Sequence, residues 1–232
     1  MVKMTGAIKW RMISVVIFGA AGIAVLVSLG VWQVQRLAWK EAVLADIEAR
    51  IAAAPVALPA QADPVIDRYL PVRATGIIGD DHVRVLVSQR RVGAGYRIIA
   101  ALELPDGRRV LVDRGILPVA DSVPPAPQTP VTVTGNLHWP EERDSFTPAN
   151  DLDDNIWFSR DVAVLADHLA TEPLLIIARD TDPADAAITP LPVTIDNIPN
   201  DHLSYAITWF SLALVWLGMT LFLLWRIRRG LG

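Results

Sequence analysis

The sequence predicts a membrane protein in which two transmembrane helices flank one β-rich domain, and three observations support this fold class. Residues 12–32 and residues 205–225 contain no charged side chain. About 20 such residues form a helix of roughly 30 Å, which matches the hydrocarbon core of a bilayer. The region between them contains short runs rich in Val and Ile, which are typical of β-strands.

The first apolar segment is predicted to be a transmembrane helix that remains part of the protein. It follows a basic start of Lys3, Lys9 and Arg11, as the apolar core of a secretory signal does. The apolar run is longer than the core of a typical signal peptide, and no convincing small-x-small cleavage site follows it. We therefore expect an uncleaved signal anchor at residues 12–32, preceded by a cytoplasmic tail at residues 1–11.

Residues 33–54 are predicted to continue the first helix beyond the membrane. They contain good helix formers and no Gly or Pro, and Pro55 follows directly. Arg36 and Lys40 lie where the interfacial anchors of a transmembrane helix are expected.

Residues 55–201 are predicted to form the β-rich domain. Leu104–Arg108 has the sequence of a hairpin turn, because Gly107 tolerates a positive φ. One short helix is expected at residues 160–170. Closely spaced strands with few helices indicate a single α+β domain with an antiparallel, sandwich-like or barrel-like sheet. The predicted strands are residues 72–78, 83–88, 97–104, 108–113, 131–139 and 174–179.

The charge distribution predicts the orientation of the two spans. All 25 acidic residues lie between Glu41 and Asp201, whereas the tails at residues 1–11 and 226–232 carry only basic charges. By the positive-inside rule both tails are cytoplasmic, with the second span at residues 202–225. We therefore expect the central domain to lie outside the cytoplasmic membrane. Because nothing before Lys3 resembles an amphipathic transit peptide, we expect a bacterial protein of the cytoplasmic (inner) membrane, with this domain in the periplasm. Because that domain is acidic, nucleic acid is excluded as a partner.

The motifs in the chain give no support for an enzyme. The sequence has no Cys, which excludes thiolate copper sites, iron–sulfur clusters and covalent c-type haem. No HxH or HExxH spacing links the four His residues, and no GxSxG elbow occurs. The sequence therefore gives no support for hydrolase chemistry or for a zinc site.

His202, at the start of the second span, is the candidate binding residue. On a helix that begins nearby, His202, Tyr205 and Trp209 share one face with Ala206 and Ala213. This face fits a groove for a flat ring, with His202 at its outer end. It equally fits an aromatic belt in which His202 is an interfacial hydrogen-bonding group. Periodicity alone leaves both interpretations open, although an ionisable group at a membrane boundary is a functional candidate.

Four segments, in order along the chain, share the sequence features of one family. They are LGVWQVQRLAWK (29–40), GAGYRIIAALELPDGRRVLVDRGILP (93–118), NDLDDNIWFSRDV (150–162) and IPNDHLSYAITWFSLA (198–213). Together they resemble the surfeit-locus (Surf/Shy-type) cytochrome c oxidase assembly proteins, over most of the chain. Asp113 and Ile116 differ from the residues that are common in the family at those two positions.

This resemblance implies a non-enzymatic assembly factor for a haem–copper (cytochrome c type, aa3) oxidase. Haem a would be a transient cargo, bound with His202 as the iron ligand and inserted into oxidase subunit I. Tyr205 and Trp209 would contact the macrocycle. From their place near the outer interface we further infer that Arg36 or Lys40 pairs with the haem propionates; both residues equally fit snorkelling anchors of the helix. Oxidase subunit I and the lipid bilayer are the expected partners, with haem A synthase as a further candidate. The alternative is a membrane scaffold for a nascent oxidase subunit that binds no cofactor.

Overall fold

The computed structural model describes residues 6–89, 93–196 and 198–229. Lys3 in the predicted N-terminal tail, Asn197 and the last three residues of the predicted C-terminal tail lie outside this range. The described residues form three α-helices and seven β-strands. They are α1 (Gly6–Ala52), β1 (Val56–Ala57), β2 (Pro71–Gln89), β3 (Gly93–Glu103), β4 (Arg109–Pro118), β5 (Val131–Leu137), β6 (Ile156–Trp157), α2 (Val162–His168), β7 (Glu172–Asp182) and α3 (His202–Arg229).

Two of the helices are long and apolar enough to cross a membrane, as the sequence predicts. They are α1 and α3. With 47 residues, α1 is roughly 70 Å long and exceeds the thickness of a hydrocarbon core more than twofold. It ends at Ala52, shortly before Pro55, because proline disfavours the helical conformation in the residues that precede it.

The chain divides into two compact units. The helical unit contains α3 and the part of α1 up to Ala45, and the sheet unit comprises Asp46–Ile195. In the sheet unit the strand order is β1-β2-β3-β4-β7-β5, with β6 paired to β2. Strand β2 is long enough to have two partners, since its first residues pair with β5 and its later ones with β3.

The sheet is mixed, so the prediction of an antiparallel sheet is corrected in this one respect. The pairings β1–β2, β2–β6 and β4–β7 are parallel. Strand β7 enters the sheet between β4 and β5, antiparallel to β5 and parallel to β4. Two parallel neighbours need a long connection between them. The chain between β4 and β7, which contains α2, provides it. The pattern along each strand predicts where a strand lies but not which strand becomes its neighbour.

The predicted hairpin turn is confirmed. Gly107 has a φ of +85°, and the N–H of Leu104 donates to the carbonyl oxygen of Arg108 at 2.8 Å. The strands predicted at residues 72–78 and 83–88 join into the single strand β2, with an irregular register between Ile78 and His82.

Apolar side chains cover both faces of the sheet. Leu111 belongs to the cluster that α2 covers, and the next residue, Val112, belongs to the cluster on the other face. Both are fully buried. Because successive side chains of a strand point to opposite faces, a continuous apolar run of this kind identifies a central strand. The sheet unit therefore has a substantial core of its own.

Candidate functional site

Glycines allow α1 and α3 to approach each other closely in the helical unit. A Cβ atom added to Gly22 would overlap the indole of Trp216, and one added to Gly30 would lie 2.7 Å from the ring of Phe210. Small residues at such positions are how membrane helices pack, because lipid supplies no hydrophobic force between them. The glycines therefore determine which face of α1 meets α3.

The two helices run antiparallel. Gly19 lies against Thr220, whereas Gln33, further along α1, contacts His202 at the start of α3. The Nε1–H of Trp216 donates a hydrogen bond to the carbonyl oxygen of Gly19 at 3.2 Å. The first residue of α3 is therefore placed beside the part of α1 that follows its apolar segment.

His202 forms one side-chain hydrogen bond, and it crosses between the helices. Its Nδ1 lies 2.8 Å from Oε1 of Gln33. An amide oxygen only accepts hydrogen bonds, so Nδ1 carries the proton and donates it. In the part of the chain that the structure describes, no other side-chain hydrogen bond involves the His202 ring, and His202 is half-buried. In the neutral form of the ring, Nε2 then has a free lone pair.

The aromatic residues predicted to lie beside His202 differ in exposure. Tyr205 is 56% exposed, whereas Trp209 is half-buried. Ala206 and Ala213, on the predicted face, are 2% and 6% exposed. Neighbouring side chains therefore cover both alanines, so these residues do not form the open floor of a groove.

Arg36, the residue predicted to pair with haem propionates, is exposed on α1. Its guanidinium carbon lies 3.7 Å from the centre of the Trp39 ring, which is a cation–π geometry. Within residues 6–89, 93–196 and 198–229, no hydrogen bond or ion pair links Arg36 to His202 or Tyr205. Lys40, one helical turn further on, is half-buried.

Sequence reasoning missed Gln33. A signal for it was present, because Gln33 follows Gly30 by three residues and lies on the same face as Gly19 and Gly22. An amide that continues a stripe of small residues faces the partner helix. Gln33 is 8% exposed and is the one buried polar side chain among the described residues of α1 and α3.

A second polar group lies in the sheet unit, and we call it the Asp113 cluster: the buried Asp113 and Arg97, the half-buried Arg160 and the exposed Glu142. Nε of Arg97 donates to Oδ2 of Asp113 at 2.5 Å, and Asp113 has no exposed surface. Arg160 lies between the two acids, with Nη1 3.6 Å from Asp113 and Nε donating to both carboxylate oxygens of Glu142 at 3.1 Å. The two cations and the two anions of the cluster therefore neutralise one another.

Within the Asp113 cluster, the pKa values of Arg97 and Glu142 are shifted from their ordinary values. Burial lowers the pKa of Arg97, and Asp113 offsets part of that shift. Burial by itself would raise the pKa of Glu142, but the hydrogen bonds and charge of Arg160 outweigh it, so the pKa is lowered. Glu142 therefore remains ionised at neutral pH.

His138 lies near the cluster and has a lowered pKa, chiefly because it is buried. Burial, followed by the charges of Arg160 and Arg68, lowers the pKa of His138 to about 4. Its ring stacks on Tyr69, with 5.2 Å between the ring centres. A proton on His138 is therefore unfavourable for the folded sheet unit.

The Arg–Gly pair of the family-like segment 93–118 has a structural role. Arg114 is 4% exposed, and its Nε donates to Oδ2 of Asp185 at 3.1 Å. Gly115 has a φ of +128°, and a Cβ atom there would overlap the backbone of Thr189. This conformation and close contact both require glycine.

The fold is that of a membrane protein with two helices long and apolar enough to cross a bilayer and a mixed-sheet domain between them in the chain. Sequence comparisons specify its class further. The chain matches the family model described as the SURF1 family over residues 20–214. It is 32% identical to a SURF1-like protein of Monosiga brevicollis, over 95% of this chain and 89% of the relative. It is 31% identical to Surfeit locus protein 1 of Homo sapiens, over 80% of this chain and 69% of that protein. A SURF1-like protein of Rickettsia felis is 29% identical, over 82% of this chain and 88% of the relative.

The chain belongs to the SURF1 family, which confirms the resemblance seen in its four segments. This membership supports a role in cytochrome c oxidase assembly. The family is one of assembly factors.

Proposed function

We propose that this protein binds haem a through His202 and delivers it to subunit I of an aa3-type haem–copper oxidase. The observation that carries the proposal is the hydrogen bond from Nδ1 of His202 to Gln33, because it leaves the lone pair of Nε2 free. A metal-binding histidine commonly has this arrangement, with its second ring nitrogen donating to an oxygen acceptor. The residues present therefore fit an iron ligand at this position.

The surroundings of His202 supply contacts suited to a haem. Tyr205 and Leu203 are each 56% exposed, so they offer apolar and aromatic surface beside the ring. Arg36 is exposed and is the proposed partner of a haem propionate, with Lys40 as the other cation within reach along α1. One histidine ligand and an open sixth position suit a transient cargo, since the iron must be released to the oxidase.

The antiparallel helix pair supports the proposed topology. Lys9 and Arg11 at one end of α1 lie on the same side of the bilayer as Arg226 and Arg228 at the end of α3, if both helices span it. The positive-inside rule assigns that side to the cytoplasm. His202 then lies on the periplasmic side of a bacterial inner membrane, where haem A synthase is a proposed source of the cargo.

A cofactor-free scaffold is the second candidate function. The observation that favours it is the Asp113 cluster, which stabilises the family-like segment 93–118 through Arg97 and Asp113 without any involvement of His202. A scaffold that works through the sheet unit would assemble oxidase with His202 replaced.

Co-expression with haem A synthase, followed by purification and absorption spectroscopy, tests the proposal. We expect a haem a spectrum for the wild type and its loss in His202→Ala. The control is His82→Ala, because the ring of His82 contacts only the carbonyl oxygen of Asp80, at 2.9 Å, among the hydrogen bonds of the described residues. A colourless wild type, or an unchanged spectrum in His202→Ala, contradicts haem binding. Full oxidase yield in a His202→Ala strain favours the scaffold.

A further inference from the structure

We infer that Gln33 is a positioning residue that fixes His202 in one tautomer and directs Nε2 outward as the electron-pair donor. The inference begins from a single contact, the 2.8 Å distance between Nδ1 of His202 and Oε1 of Gln33. Its last step, ligation of iron by Nε2, rests on the proposed function.

The tautomer follows from the donor and acceptor inventory of the two side chains. A neutral imidazole has one N–H and one lone pair, and an amide oxygen has no proton to give. With the Gln33 amide oriented as it is, its Oε1 facing the ring, the opposite tautomer would place the Nδ1 lone pair against the lone pairs of that oxygen. At a separation of 2.8 Å this contact would be repulsive, so this orientation of the amide holds the ring with its proton on Nδ1.

Gln33 is held in place by its surroundings on α1. It is 8% exposed, and Gly30, one turn earlier, allows the ring of Phe210 on α3 to pack against the helix backbone. The acceptor therefore has little freedom to turn away from His202. Outer contacts of this kind orient a ligand and increase its basicity.

The strength of the acceptor suits a carrier. An amide oxygen is a weaker acceptor than a carboxylate, so it raises the electron density on Nε2 only moderately. A Gln33→Glu substitution should keep the tautomer and strengthen donation to the iron. A Gln33→Leu substitution should release the tautomer and the ring orientation together.

The first arm of the test needs no haem. The full-length protein with 15N-labelled histidine is reconstituted in nanodiscs, and the signals of His202 are assigned by comparison with His202→Ala. We expect the Nδ1–H tautomer in the wild type and a mixture of tautomers in Gln33→Leu. Gln35→Leu is the matched control, since Gln35 is an exposed glutamine two residues further along the same helix.

The second arm uses the haem-loaded protein. Gln33→Leu should lose haem to apomyoglobin roughly 10- to 100-fold faster than the wild type, the usual effect of removing an outer partner of a metal ligand. Gln33→Glu should retain haem and have a more negative midpoint potential. If Gln33 served only to pack the two helices, Gln33→Glu would leave the midpoint potential unchanged.

The outcomes separate the two proposals. A colourless wild type overturns the proposed function and the ligation step with it. A haem-loaded wild type whose His202 carries its proton on Nε2 before loading overturns the positioning role alone. An unchanged tautomer in Gln33→Leu does the same.

Discussion

The helical unit and the sheet unit each bury a polar contact, and the two contacts differ in how completely they are satisfied. In the Asp113 cluster, Asp113 accepts from Arg97 and from the backbone N–H of Gly115, and Arg160 pairs with it and with Glu142. In the helical unit, His202 donates to Gln33 through one ring nitrogen and leaves the other free.

This difference indicates which of the two contacts can bind a ligand. In a buried ion cluster whose groups all have partners, no donor or acceptor atom remains for a ligand. Removing one of the groups leaves a buried charge unpaired. A half-satisfied histidine at the start of a span retains a donor atom for an external ligand. The comparison therefore supports a structural role for the Asp113 cluster and the binding role that we propose for the His202–Gln33 pair.

Removing the central carboxylate should have the largest effect on stability. Asp113→Ala leaves Arg97 and Arg160 without their shared partner, so the sheet unit should lose about 3–5 kcal/mol of unfolding free energy. Denaturant unfolding of the purified protein measures the change. Asp121→Ala is the control, since Asp121 is exposed, and equal stability of the two variants would contradict the structural role.

Widening the helix pair should have the next largest effect. Gly22→Leu places a side chain where Trp216 packs and should weaken the pair by about 1–3 kcal/mol. Because the chain has no Cys, a disulfide between Gly19→Cys and Thr220→Cys reports the pairing without background. Cross-linking should fall with Gly22→Leu. It should not fall with Gly218→Leu, where an added Cβ meets nothing within 4 Å. Equal yields would argue against close packing of α1 and α3.

Lowering the pH should destabilise the sheet unit through His138. Its pKa is about 4 in the folded protein, below the ordinary value of 6.5, so the unfolded chain takes up the proton first. The contribution of neutral His138 to the unfolding free energy is therefore fully present above pH 6.5 and is lost between about pH 6.5 and 4. At pH 5 the loss is about 1–2 kcal/mol. Glu142, with its lowered pKa, adds to the loss only at lower pH, as it becomes protonated.

The variant His138→Phe isolates this contribution. Phe keeps the ring beside Tyr69 and cannot take up a proton. The unfolding free energy of the variant should change less than that of the wild type between pH 7.5 and pH 5. If the unfolding free energies of the two proteins fall equally between these pH values, His138 is not the source of the acid destabilisation.

Replacing Arg36 should have the smallest effect of these substitutions. We expect it to change only the retention of haem. An exposed ion pair contributes at most about 1 kcal/mol, so Arg36→Gln should accelerate haem loss to apomyoglobin only a few-fold. Lys40→Gln, tested in the same way, shows which cation pairs with the propionate. If neither variant changes the rate, the propionates have other partners.

The sequence predicted the features that depend on local pattern. The two apolar helices, the end of α1 before Pro55 and the turn at Gly107 all follow from residues that are close together in the chain. The predicted site residue His202 does begin α3.

Features that join distant residues were not predicted. Gln33 and His202 are 169 positions apart, and no local rule pairs them. The parallel pairing of β4 with β7 likewise depends on where a later strand inserts. The buried charges were missed because Asp113 and Arg160 look like surface residues until the strand and the loop that hold them are brought together.

The most direct test of the account is chemical rescue of the proposed iron ligand. His202→Gly, co-expressed with haem A synthase and purified, should lack the wild-type haem a spectrum and regain it when imidazole is added. The added imidazole supplies the nitrogen donor that the side chain has lost. A His202→Gly protein that shows the wild-type spectrum without imidazole would contradict the claim that Nε2 of His202 binds the haem iron.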